Sequence, residues 1–396
     1  MSDIKIQPSA TGSGTVTITA PTTNTARVIT LPDSAGTLLD ENSSVPSANL
    51  TGTVVDARIS ALTASKLTGD LPAISGVNVT NVHAVNSGRK NWIINGDFQV
   101  SQRAAFTSAT ALTTSSVYHL DRFKSKHNNI SGTVTHKLAQ TVDGKVTNTM
   151  LLTATAGNSG RVEGVQQIEA TQPFVSQTIT FSAWVKSNSA SSRLIIHQDG
   201  ANIQTSSNQH TGGGAFELLK GTVTCAANSG NLYLYAGIQA AGTGNVAIAN
   251  GHYFEMAFVQ LELGSVATNF EHRSFGEELH LCQRYYEIIA KPTAADDSPY
   301  FGIGHGVKTD QINWYYDFKA EKRAPFTLIV NTVTNGYYGK NHSSEFNKNT
   351  LGVTMGHQSL HSIMGYMTNI SGVAEQSTWT MQCNGAGCLI AVSAEL

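Results

Sequence analysis

The chain has 396 residues, of which 40% are hydrophobic and only 13% charged, and its formal net charge is -2. That hydrophobic share belongs to a globular chain, and the length allows roughly two to four domains. Near-balanced charge without a basic run of five or more argues against nucleic acid or an anionic membrane surface as the main partner.

No apolar run approaches the ~18 residues of a membrane span. The start "MSDIKIQPSATGSG" has neither the charged region nor the apolar core of a signal peptide. The expectation is a soluble product made in the cytosol. Thr, Ser, Asn and Gly fill the segments between apolar runs, which favours strands and turns over helices.

Residues 14–31, "GTVTITAPTTNTARVITL", hold two short alternating runs around a Pro/Asn/Thr turn. A module of this size, 1–45, buries too little surface to stand alone. From 46 to 87 an imperfect repeat follows, in which Leu50-Thr51-Gly52 of "ANLTGTVVDARIS" aligns with Leu67-Thr68-Gly69 of "SKLTGDLPAISG". Such a strand has no core of its own. It is either a flexible linker or a shaft in which several identical chains intertwine.

Residues 88–274 carry apolar runs such as "NWIINGDFQV", "TITFSAWVKS", "SSRLIIHQD", "NLYLYAGIQA" and "HYFEMAFVQLELG", separated by Gly/Asn/Ser turns. About eight strands spaced this way predict an antiparallel sandwich of jelly-roll type. In 275–292 the pattern changes. Ser274 followed by Glu277 is a capping box, Glu277 and Glu278 suit a helix N-terminus, and Pro292 limits the C-terminal end. The expectation is a helix over 275–290 with Phe275, Leu279, Cys282, Tyr286 and Ile289 along one seam. That seam faces either partner chains around a three-fold axis, as a neck, or the adjoining domain. Residues 293–396 return to strands and predict a second, smaller β-sandwich. The fold class is therefore all-β with one short helical joint.

Committed chemistry is scarce. No carboxylate pair has a glycosidase signature, no G-x-S-x-G elbow occurs, and "GIGHG" at 302–306 lacks a P-loop lysine. His357 and His361 have no acidic companion, and Cys225, Cys282, Cys383 and Cys388 are expected to be reduced and structural. Neither a metal nor a cofactor is expected.

Aromatic display is what is left. Alternation puts Phe181, Ala183 and Val185 on one strand face with Trp184 and Lys186 on the other, and opposes Leu232 and Leu234 to Tyr233 and Tyr235. "NTVTNGYYGKNHSS" looks like a loop tip carrying Tyr337 and Tyr338. These six residues are the candidate ligand contacts, since flat rings beside amides and hydroxyls suit neutral sugars; the alternative is burial between subunits or under a loop.

Several of these passages resemble tail fibre (receptor-binding) proteins of tailed bacteriophages and prophages. "GTVTITAPTTNTARVITLPDSAGTLL" is similar to their virion-attachment segment, and "LTGTVVDARIS" with "LTGDLPAISGVNVTNV" to their shaft repeats. "NWIINGDFQVSQR", "FSAWVKS" and "VQLELGSVATNFEHRSFGEELHLCQRYYE" resemble their carbohydrate-binding-module-like jelly roll and its exit, and "SAEL" the close of the small domain after it. The resemblance implies a homotrimer in the virion, and the scarcity of committed chemistry makes a non-enzymatic one the expectation. It would attach by its N-terminus to a tail or adaptor protein and bind a host-surface glycan or other outer-membrane receptor with its distal β-domains. The acidic pair that holds calcium in related modules is not evident in "YFEMAFVQL", so no metal is carried over. A fibre depolymerase and a purely structural tail component are the alternatives.

Overall fold

Alternating apolar residues set two antiparallel sheets face to face in the larger part of the chain. The structure, a computed structural model, describes residues 89–396 except 114–115, 170–171, 202, 228–229, 295–296, 334–335, 343, 349–356, 371, 385–386 and 396, together with scattered positions between 11 and 28. The chain divides into two units, Met1–Val79 and Thr80–Leu396. The expected attachment module (1–45) and shaft repeats (46–87) lie outside the described residues, apart from those scattered positions, and the account below concerns the second unit.

The first sheet runs β1 (Thr110–Ala111), β4 (Gly132–Val142), β5 (Lys145–Ala154), β13 (Tyr253–Leu263), β7 (Thr178–Ser187), β10 (Phe216–Thr224). The second runs β2 (Ser116–Leu120), β3 (Phe123–Asn128), β6 (Asn158–Ile168), β11 (Leu232–Ile238), β8 (Ser192–Gln198), β9 (Ile203–Ser206), with β12 (Val246–Ile248) beside β6. Phe181, Val185, Met256 and Leu261 from the first sheet meet Phe123, Val162, Leu194 and Leu234 from the second in one buried core. The expected antiparallel sandwich is present. It has more strands than the eight or so anticipated, because polar stretches such as "FKSKHN" also pair.

Two local features depart from the sequence reading. "NWIINGDFQV" is irregular rather than a strand, and its buried backbone is satisfied by its own asparagines. Asn91 Oδ1 accepts from the Ile93 and Leu261 amides, and Asn95 accepts from Val100 and donates to the carbonyls of Val100 and Asp121. In β13 a bulge between Ala257 and Gln260, with Phe258 at φ 52°, breaks the alternation. Val259 turns into the core while Phe258 joins an outer cluster.

The helix begins where expected and stops early. α1 spans Phe275–Gln283, and Ser274 caps it by accepting from the Glu277 amide at 3.3 Å. Glu277 reaches out to Arg89 instead of back to the cap. The expected continuation to 290 is incorrect: Tyr286–Ala290 is strand β14, paired with Ile390–Ser393 (β23). "YYEII" is aromatic and β-branched, and pairing with β23 outweighs the weak two-heptad spacing. The five-residue seam is thereby split. Phe275 is 55% exposed and Leu279 half-buried on α1, Cys282 is buried in the same chain, and Tyr286 and Ile289 are buried in a sheet.

The C-terminal region is a second sandwich, as expected. Its smaller sheet is β14, β23 and β17 (Thr327–Val330). Its larger sheet runs β19 (Glu345–Lys348), β18 (Tyr337–Lys340), β22 (Thr378–Cys383), β15 (Tyr300–Lys308), β16 (Gln311–Asp317), β21 (Ser362–Met367), β20 (His357–Gln358). Trp314, Trp379 and Met381 pack against Ile390 and Val392 between the two. The expectation of four reduced cysteines fails here: Cys383 and Cys388 form a disulfide, their Cα atoms brought to 5.9 Å where β22 ends and the chain turns toward β23. Cys225 and Cys282 are free and buried.

The two sandwiches share a buried polar joint. Arg122, 1% exposed, donates to Glu395 at 2.6 Å, and its guanidinium lies 3.5 Å from the Tyr285 ring centre. Arg103 also pairs with Glu395, at 3.0 Å, and lies over Tyr286. Within the second sandwich, Lys322 pairs with Glu287 of β14 at 2.5 Å, both fully buried.

Candidate functional site

The outward alternation of "NLYLYAG" on β11 creates a platform with a neighbouring strand. Leu232, Leu234 and Ala236 enter the core, so Tyr233 and Tyr235 stand half-buried on the outer face of the second sheet. In "SRLIIHQ" on β8, Leu194 and Ile196 face inward, and His197 pairs in register with Tyr233. The three rings form a triangle with centroids 6.0 Å (Tyr233–Tyr235), 6.0 Å (His197–Tyr233) and 6.1 Å (His197–Tyr235) apart. Their planes are tilted by 32–42°.

Polar groups border these rings. Gln167 pairs in register with Tyr233, and its amide donates to Asn231, which donates in turn to Asp199. Lys126 lies 5.3 Å from the Tyr235 ring centre. Burial, with the nearby Glu163 adding to it, pushes the Tyr235 hydroxyl up to about 12, so it is a neutral donor at ordinary pH. Half-exposed rings flanked by amide, carboxylate and ammonium groups can stack on C–H faces while hydrogen-bonding hydroxyls.

Glu163 lies on the same outer face of β6, in line with Val165 and Gln167. It pairs in register with Lys126 on one side and Gly237 on the other. A side chain at 237 would put its Cβ 2.8 Å from that of Glu163, so glycine there makes the room. The carboxylate is fully buried, neither oxygen has a hydrogen-bond partner, and Arg161 approaches to 3.4 Å. Burial raises its pKa to about 7, with Arg161 and then Lys126 opposing the rise. Among the described residues, no group of three or more His, Cys, Asp or Glu side chains is placed to hold a metal.

The six expected ligand residues fall in three separate places. Trp184 and Lys186 do face outward from β7, but on the opposite sheet from Tyr233 and Tyr235. There Trp184 packs against a cluster of Val142, Ala257 and Phe258, beside Phe270, and Lys186 lies 5.8 Å from the Phe216 ring centre. Trp184 is thus largely committed to neighbours in its own chain.

Tyr337, expected at an exposed loop tip, is fully buried in β18, its hydroxyl donating to the Asn331 carbonyl at 2.6 Å. Tyr338 is half-buried and its hydroxyl donates to Glu345. The reason is that Tyr337 pairs with Cys383 and Tyr338 with Gln382, so the glycines and asparagines flank a strand. His197, Gln167, Lys126 and Glu163 were missed. His197 was legible, because alternation through "SSRLIIHQD" opposes it to Leu194 and Ile196; the others depend on which strands become neighbours.

No protein family matches the sequence, and no curated protein matches it significantly. Similar solved structures include a candidate sugar binding protein from Bacteroides thetaiotaomicron (10% identity, 44% of this chain and 100% of that chain, TM-score 0.24). A second is the N-terminal CBM22 tandem of Paenibacillus barcinonensis Xyn10C (9% identity, 69% of this chain and 93% of that chain, TM-score 0.24). A third is a Paenibacillus cycloisomaltooligosaccharide glucanotransferase complexed with cycloisomaltoheptaose (11% identity, 73% of this chain and 46% of that chain, TM-score 0.19). Superpositions this loose carry no argument, and the sandwich is assigned from strand order and register.

Proposed function

We propose that this chain is a tail fibre (receptor-binding) protein of a bacteriophage or prophage, and that it binds a host-surface glycan through the outer face of β6, β11 and β8. The observation that carries the glycan reading is the half-exposed triangle of Tyr233, Tyr235 and His197 with its polar border. The motifs at 14–39, 50–82 and 258–287 support the fibre reading, with the N-terminus on the tail and three chains sharing one shaft. Binding rather than turnover is proposed. Trimerisation gives weak ring stacking its use: a millimolar site is worth about -4 kcal/mol, and linked sites raise avidity by ~10² to 10⁴.

The test is adsorption of fluorescently labelled full-length protein to host cells before and after periodate oxidation of their surface sugars. The expected result is loss of binding on oxidised cells with no release of reducing ends from intact ones. Undiminished binding to oxidised cells contradicts a glycan receptor, and released reducing ends would make the chain a depolymerase.

A further inference from the structure

On the outer face of the first sheet, a hollow of about 110 Å³ lies between β7 and the segment that follows β13. Phe181, Ala183 and Val185 of β7 go to the core, so Ser182 and Trp184 point outward and form part of the lining. Leu218, in register with Trp184 on β10, adds an apolar wall together with Phe258 and Phe270. The far side is held in place by Glu262, which accepts from the Thr268 amide at 2.8 Å and from its hydroxyl at 2.7 Å. The hollow is thus formed before any ligand arrives.

Its charges cancel, and the two polar groups on its β7 side have no partner. Asp143 and Lys145 bring one carboxylate and one ammonium, and no other charged side chain lines it. Among the described residues, the Nε1–H of Trp184 and the hydroxyl of Ser182 make no hydrogen bond, and neither is one of the polar atoms closed off from solvent. Both residues line the hollow, so a group seated there can meet them. The Trp184 N–H can only donate and calls for an acceptor, while the Ser182 hydroxyl can donate or accept.

We propose that this hollow receives the acetamido group of a neutral N-acetylated sugar, its carbonyl accepting from Trp184, its N–H donating to Ser182 and its methyl lying against Leu218 and Phe270. Size selects a substituent over a whole ring: an apolar cavity of about 150 Å³ holds benzene, and this hollow is smaller. A hydroxymethyl group leaves the apolar walls unfilled, a carboxylate meets no excess of positive charge, and an O-acetyl ester has no N–H to give Ser182. The acetamido group supplies a methyl, an acceptor and a donor together. The site lies on the opposite sheet from Tyr233 and Tyr235 and does not depend on them.

Saturation-transfer NMR on the full chain with N-acetylglucosamine, N-acetylgalactosamine and glucose tests this. Both acetamido sugars are expected to bind with a Kd of about 1 mM, their acetyl methyl protons the most strongly saturated, and glucose at least about tenfold more weakly. Trp184→Phe, which keeps a ring and removes the N–H, should weaken binding about fivefold, and Ser182→Ala about threefold, each the size of one neutral hydrogen bond. The double variant Tyr233→Ala/Tyr235→Ala should bind N-acetylglucosamine as well as the parent, which separates this site from the proposed glycan face. Equal binding of glucose, saturation centred away from the methyl, unchanged binding in both Trp184→Phe and Ser182→Ala, loss of binding in the double tyrosine variant, or no binding of either acetamido sugar to the parent overturns the assignment.

Discussion

Glu163 holds a fully buried carboxylate that no hydrogen-bond donor meets, beside the proposed binding face on β6. Because burial lifts its pKa from about 4.5 to about 7, the folded protein holds this proton more tightly than the unfolded chain does. Its stabilising contribution is complete below pH 4.5 and disappears as the pH rises through 7. The difference is on the order of 3 kcal/mol. Glu163→Gln should therefore melt roughly 5–10 °C above the parent at pH 8, with the gap closing near pH 4.5, in scanning calorimetry. A gap that is the same at both pH values would show that the carboxylate does not titrate in this way. At this scale the sequence was legible wherever the strand period of two decides orientation, as for Tyr233, Tyr235 and His197. It was silent on Glu163, whose burial depends on strands far apart in the chain.

Elements were legible where local chemistry settles them and opaque where pairing does. The Ser274 cap and the acidic first turn of α1 could be read directly, and Ser274→Ala should lower stability by about 1 kcal/mol in urea unfolding. No change would mean that the helix start is held by Glu278, which accepts from the Asn95 amide and pairs with Arg273, rather than by its cap. The end of the helix could not be read, because Leu279, Cys282 and Tyr286 fit a helical seam while "YYEII" also fits a strand. β23, more than a hundred residues away, decides between them. Tyr337 was misplaced for the same kind of reason: turn-forming neighbours masked its pairing with β22. The Cys383–Cys388 bridge follows from the same geometry and can be counted. Thiol titration of protein denatured without reductant should find two thiols per chain, from Cys225 and Cys282, and finding four would refute the bridge.

At the scale of the whole molecule, the two sandwiches have separate apolar cores and meet through charge. Arg122 is the centre of that joint, shared by Glu395, Tyr285 and the Gln167 carbonyl. Among the described residues, the all-β architecture with two sandwiches and one short α-helix was legible from the spacing of apolar runs and turns. The docking was not, since nothing local marks Arg122 as buried or Glu395 as its partner. Assembly follows from the proposed shaft: multi-angle light scattering of the full chain should give three times the 42.1 kDa chain mass. A folded monomer of the full chain would remove the trimer from the account.

The face carrying Tyr233, Tyr235 and His197 is the proposed recognition surface for a host glycan. Its most direct test is an array of bacterial surface polysaccharides probed with the full-length parent and with Tyr233→Ala/Tyr235→Ala, after both melting temperatures have been measured. At least one glycan should bind the parent, with a signal at least about tenfold lower for the variant, as expected when two stacking rings worth about 1 kcal/mol each are lost. Equal signals from two comparably stable proteins would contradict it.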